Sequence, residues 1–162
     1  MLELEGFAEQ GDFATMTVTE EYDKFDNKWE IVTSGMALSN TDPRIGVVSS
    51  NFAYVVGQGF EVGWLIMYRN AKNWGWLTDD RAVLVADNLR VEHTSGLREN
   101  EVLDNGNVFE RIDIALSKEQ VLAFISSNEI PAIRIDGAVF DFVGAYVQEV
   151  REAYEKGQAK KV

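Results

Sequence analysis

The stretch LSKEQVLAFISSNEIPAIRIDGAVF, residues 116–140, decides how this chain is read, because it sets a helix and a hairpin behind a long series of strands. Ser117 has the marks of a helix N-cap. Its hydroxyl can accept from the backbone of the third helical residue, and Gln120, at that position, can reach back to close a capping box. Leu116 and Val121 flank the same turn as a hydrophobic staple. Together these signals predict a helix over 118–127, which Pro131 prevents from continuing. After the proline, Ile133-Arg134-Ile135 and Ala138-Val139-Phe140 flank Asp136-Gly137, the pattern of a hairpin with a two-residue loop.

A second helix is predicted over 142–156. Val143, Tyr146, Val147, Val150 and Tyr154 fall on one face, and Arg151–Glu155 and Glu152–Lys156 can pair on the other. Gly157 stands where a C-cap glycine belongs.

Working back from residue 116, the periodicity is two, not 3.6. Strands are predicted at 13–20, 29–38, 45–56, 61–69 and 108–116, with a further hairpin of Val83 and Val85 against Leu89–His93 about Asp87-Asn88. The turn clusters are SNTDPR at 39–44, GQG at 57–59 and Asp104-Asn105-Gly106. Strands first and helices afterwards imply an α+β fold and not βαβ units. The expected architecture is an antiparallel, strongly twisted sheet of seven to nine strands, curled or split into two layers, followed by two helices separated by a β-hairpin. At 162 residues the chain is expected to form one domain, with loosely ordered ends at 1–10 and 157–162.

Composition narrows the chemistry. No cysteine occurs, which removes thiol nucleophiles, disulfides and thiolate metal sites. The N-terminal MLELEGFAEQGDF is acidic and lacks the apolar centre of a signal peptide. No apolar run approaches the roughly 18 residues of a membrane helix, so a cytoplasmic protein with no membrane partner is expected. The formal charge of −12 repels phosphate backbones and argues against direct nucleic-acid binding. An acidic face could instead bind a basic protein, the plainer reading being that the acidity keeps the chain soluble, and a homodimer through an exposed sheet edge is compatible with either.

The catalytic inventory is thin. His93 is the single histidine, and it shares strand parity with Leu89 and Val91, which places it at an apolar sheet margin. GQGFEVG at 57–63 lies between two strands and misses the dinucleotide spacing, so it reads as a hairpin turn. Carboxylates are plentiful, among them Asp79, Asp80, Glu99, Glu101 and Asp104, but a glycosidase needs two of them facing each other across a substrate. No catalytic residue, metal or cofactor is expected.

The most distinctive surface candidate is RNAKNWGWLTDD at 69–80. In an extended chain Trp74 and Trp76 project to one side about 7 Å apart. Asn70, Asn73, Asp79 and Asp80 would form a polar rim, and such a platform could stack on a sugar, a base or a peptide. The competing reading is a buried tryptophan pair at a strand end, with Arg69 and Arg81 stacked on the rings. The functional expectation is a non-catalytic binding or protein-interaction module with an acidic surface. An acidic inhibitor that mimics nucleic acid toward a basic protein is one alternative, and a small carboxylate-dependent hydrolase or sugar-binding module is another.

Overall fold

A computed structural model of the chain describes residues 18–40, 42–76, 81–93 and 98–161. Among the described residues, eleven strands and two α-helices follow one another as β1 (Val18–Asp23), β2 (Lys28–Thr33), β3 (Met36–Asn40), β4 (Val48–Gly57), β5 (Phe60–Ala71), β6 (Ala82–Ala86), β7 (Leu89–His93), β8 (Arg98–Val102), β9 (Val108–Leu116), α1 (Lys118–Ile125), β10 (Ala132–Ile135), β11 (Ala138–Asp141) and α2 (Gly144–Ala159). Every strand pairing is antiparallel. Nine strands run in one path, β7-β6-β10-β11-β3-β4-β5-β9-β8, while β2 joins β4 beside β3 and carries β1. The sheet curls round the helices so that α1 touches β5, β9 and β7. The α+β fold with an antiparallel, strongly curled sheet is therefore the architecture of this chain.

The helix start at 117 follows the residues that predict it. The Ser117 hydroxyl accepts from the Gln120 N–H at 3.2 Å, and the Gln120 side chain accepts from the Ser117 N–H at 2.9 Å. The hairpin at 136–137 is likewise direct: Asp136 and Gly137 have φ of 49° and 83°, the paired positive values of a type I′ turn.

The second helix differs from expectation at its end. Gly157 lies inside α2, not after it, because a Cβ there would come within 2.5 Å of the Tyr54 ring. The glycine is present for close packing on β4. Residues past 157 continue α2 to Ala159 and make side-chain contacts up to Lys161. Gln158 donates to Glu61 at 2.8 Å, Lys160 pairs with Glu20 at 2.6 Å, and Lys161 pairs with Glu61. The cations of α2 reach to other elements: Lys156 pairs with Glu20, and Arg151 donates to the Ile125 carbonyl at the end of α1.

The predicted strand over 29–38 is broken into β2 and β3. Val32 lies opposite Ala53 and Met36 opposite Ser50, so three residues, Thr33, Ser34 and Gly35, face two, Phe52 and Asn51. That is a β-bulge. The Thr33 hydroxyl accepts the Phe52 N–H at 2.9 Å, and the Ser34 hydroxyl donates to both Glu149 oxygens at 3.2 Å. The bulge is thus fastened to α2, and it turns β2 toward β1 and β3 toward β11. The predicted strand over 13–20 falls outside the described residues for its first five positions.

Candidate binding surface

The segment after β5 does not make a two-indole platform. The strand stops at Ala71 and the chain bends, so the alternation that would put both rings on one side no longer applies. Trp76 is fully buried, edge-on to Phe140 with ring centres 6.4 Å apart, while Trp74 stays 39% exposed.

The inward turn of this segment is set by a buried ion pair. Arg69 and Glu110 are cross-strand partners on β5 and β9 and meet in a salt bridge with no solvent contact to speak of. Glu110 also accepts the N–H groups of Gly75 and Trp76 at 2.8 and 2.9 Å. Arg69 donates to the carbonyls of Ile45 and Asn73. Such multiple bonding is what a buried pair needs to offset the loss of water. It also explains the glycine between the tryptophans, since a Cβ at Gly75 would lie 2.6 Å from the Arg69 guanidinium.

The Arg69 guanidinium is committed to this ion pair and to backbone carbonyls, and Arg81 reaches Glu92 at 3.2 Å. Of the predicted rim, Asn70 and Asn73 are exposed, and the Asn70 side-chain oxygen Oδ1 accepts from the Asn107 side-chain amide at 3.0 Å. Asp79 and Asp80 lie outside the described residues. Of the two indoles, Trp76 is buried and Trp74 is the one open to solvent.

A different tryptophan holds an open position. Both helices pack on the face of the sheet that carries Phe52, Tyr54, Gly63 and Ser50: Gly63 lies under Val121, Gly157 over Tyr54, and the Ser50 and Tyr146 hydroxyls are 2.7 Å apart. The opposite, outer face has no helix on it. There Val62, Trp64, Ile66 and Tyr68 follow one another along β5, all only half-buried, with Val32 and Phe109 on flanking strands. Across the sheet the neighbours of Trp64 are Ala53 and Ala115. Two alanines beside an indole leave its faces open where larger residues would cover them. Tyr68 fits because the bulge supplies Gly35, whose Cβ would otherwise stand 2.5 Å from the Tyr68 hydroxyl.

Charge rims this apolar centre. On one margin Glu21 lies opposite Glu30, with Asp23 on the same face; on the other Glu99 lies opposite Arg111, and Glu101 opposite Phe109. An open notch of ≈ 430 Å³ at the first margin is lined by Glu21, Tyr22, Asp23, Lys24, Phe25 and Glu30. Among the described residues, the strands of this face carry six carboxylates, Glu21, Asp23, Glu30, Glu99, Glu101 and Asp113, against the cations Lys28 and Arg111, with Lys24 added at the turn beside the notch. Both strand cations are engaged by neighbours, Lys28 by Glu30 at 3.4 Å and Arg111 by Asp113 at 2.7 Å.

The strand parity that puts Val62, Trp64, Ile66 and Tyr68 together can be read in the sequence. Which face of β5 the helices cover cannot, so parity alone does not mark Trp64 as a site residue.

Among the described residues, no three His, Asp or Glu side chains gather in a way that could hold a metal ion. His93 is half-buried at the end of β7. No described helix is long and apolar enough to cross a membrane. The chain matches no protein-family model, no curated protein and no solved structure.

Proposed function

We propose that this chain is a non-catalytic interaction module that takes a basic protein surface on the outer face of its sheet. The observation that carries the reading is the half-open row of Val62, Trp64, Ile66 and Tyr68, with acids on both margins and its two strand cations, Lys28 and Arg111, already paired. An apolar centre inside a charged rim is the layout of a protein–protein contact, with the aromatic residue as anchor. The net charge of −12 would speed the approach of a cationic partner. An inhibitor that occupies the basic face of a nucleic-acid-binding protein is a narrower form of this reading, in which charge alone suffices.

A peptide of alternating lysine and valine tests it by titration calorimetry. Trp64→Ala and Glu99→Lys/Glu101→Lys should each weaken binding tenfold or more, salt should weaken it further, and Trp74→Ala should leave it unchanged. Binding that survives Trp64→Ala but not the charge reversals points to the charge-only form. If both variants bind as the parent does, the outer face is not the site.

A further inference from the structure

The sheet has described edges at β1, β8 and β7. An open edge is a template for another strand, and charge is the usual means of blocking it. On β1 the charged residues are Glu20, Glu21 and Asp23, so a second copy would bring acid to acid. On β8 Glu99 and Glu101 share a face, and a two-fold pairing sets each against itself or the other. The β7 edge, LRVEH, is different: Arg90 and Glu92 share one face, with Val91 between them on the other, and they pair along the strand at 3.0 Å. The edge thus carries both signs of charge, and a second copy would have its pairs exchange with these.

The free hydrogen-bonding groups of β7 can be assigned. The two-residue loop Asp87-Asn88 makes Ala86 and Leu89 a hydrogen-bonded pair, and alternation extends this to Leu84–Val91 and Ala82–His93. The neighbouring hairpin agrees independently. Its closing pair Ile135–Ala138 turns Arg134 toward β6, opposite Val83, which leaves Leu84 to face β7. The N–H and C=O groups of Arg90 and Glu92 therefore point away from β6, to the open side.

We propose that a second copy of this chain docks on the β7 edge, antiparallel about a two-fold axis at Val91. In that register Arg90 of one copy faces Glu92 of the other, twice. Each such pair is also a hydrogen-bonded backbone pair, because these are the residues with free groups. The registers one step to either side set Arg90 on Arg90 or Glu92 on Glu92, so charge selects the central one. Asp87 holds the base of this hairpin in place by accepting the N–H groups of Asn128 and Glu129 at 2.7 and 3.0 Å. This edge is separate from the outer face around Trp64, so either proposal can fail without the other.

Sedimentation velocity over a concentration series tests the idea, with folding of each variant checked by circular dichroism. The parent should dimerise. Arg90→Glu and Glu92→Arg alone should each raise the dissociation constant tenfold or more, and the double swap Arg90→Glu/Glu92→Arg should restore it. Because the chain has no cysteine, Val91→Cys can form a disulfide only with a second copy, and it should do so under mild oxidation while Glu101→Cys does not. A parent that stays monomeric throughout, a dimer indifferent to the single reversals, or a double swap that fails to restore it overturns the proposal.

Discussion

The two faces of the central sheet use the same chemistry to opposite ends. Each carries a tryptophan and an arginine–carboxylate pair. On the inner face Arg69 and Glu110 come from adjacent strands, exclude water and fix two further segments, one through the Ile45 carbonyl and one through the Asn73 carbonyl and the N–H groups of Gly75 and Trp76. On the outer face Arg111 and Asp113 come from one strand, in a pair the solvent reaches. Residue type does not decide the role of such a pair or of an indole; the number of elements joined and the access of water do. The inner set is architecture, and the outer set is free to meet a partner.

That contrast can be broken by measurement. The largest effects should come from Trp76→Ala and Glu110→Ala. The first removes a fully buried indole and should cost about 3–5 kcal/mol. The second strands a buried guanidinium and should cost about as much, ~3–5 kcal/mol. Arg111→Ala on the outer face should cost below about 1 kcal/mol, and urea unfolding midpoints will compare the three. Equal losses at Glu110 and Arg111 would erase the distinction.

Next in size, Gly75→Ala should destabilise by about 1–3 kcal/mol, because its Cβ must displace the Arg69 guanidinium.

A pH effect follows at the end of α2. Burial raises the affinity of Glu61 for a proton, but Lys161, Tyr54 and Gln158 outweigh it and hold the carboxyl at about 2 against an ordinary 4.5. A depressed carboxyl contributes stability above its ordinary range and loses it as pH falls from 4.5 toward 2. Thermal melts of Glu61→Gln should show a shallower decline than the parent across that window.

The smallest effect concerns Glu149, whose carboxyl is raised by burial despite its bonds to Ser34. A raised carboxyl has the opposite sign. The folded state binds the proton more tightly, so stability falls as pH climbs from the ordinary value toward the raised one. Glu149→Gln keeps an acceptor for Ser34 and should be more stable than the parent at neutral pH, with the gain shrinking as pH falls toward the ordinary 4.5 and level below it. A gain that does not vary with pH would dismiss burial as the cause.

Much of the fold could be read locally. The capping box at Ser117, the Asp136-Gly137 turn and the Val108–Leu116 strand each depend on a few adjacent residues, and each stands where its residues put it. The readings that failed depend on partners distant in sequence. Gly157 looks like a C-cap until Tyr54 is found against it. The bulge at Ser34-Gly35 is visible only in the register against β4. RENEV at β8 has no apolar alternation, because an edge strand need not bury a face. Trp74 and Trp76 were paired by a parity rule that holds only while the chain stays extended, and the acceptor that ends that extension, Glu110, lies on another strand.

The bulge also bears on the order in which the molecule assembles. Hairpins such as β4–β5 and β10–β11 join near neighbours in sequence, and contacts of that kind form quickly. The turn of β3 toward β11 instead sets Ser39 opposite Asp141, roughly a hundred positions along the chain, and such long closures are slow. The β6–β7–β10–β11 half of the sheet should thus dock late, after β4, β5 and β9 have come together. Substitutions at the β3–β11 junction should accelerate unfolding more than they slow folding.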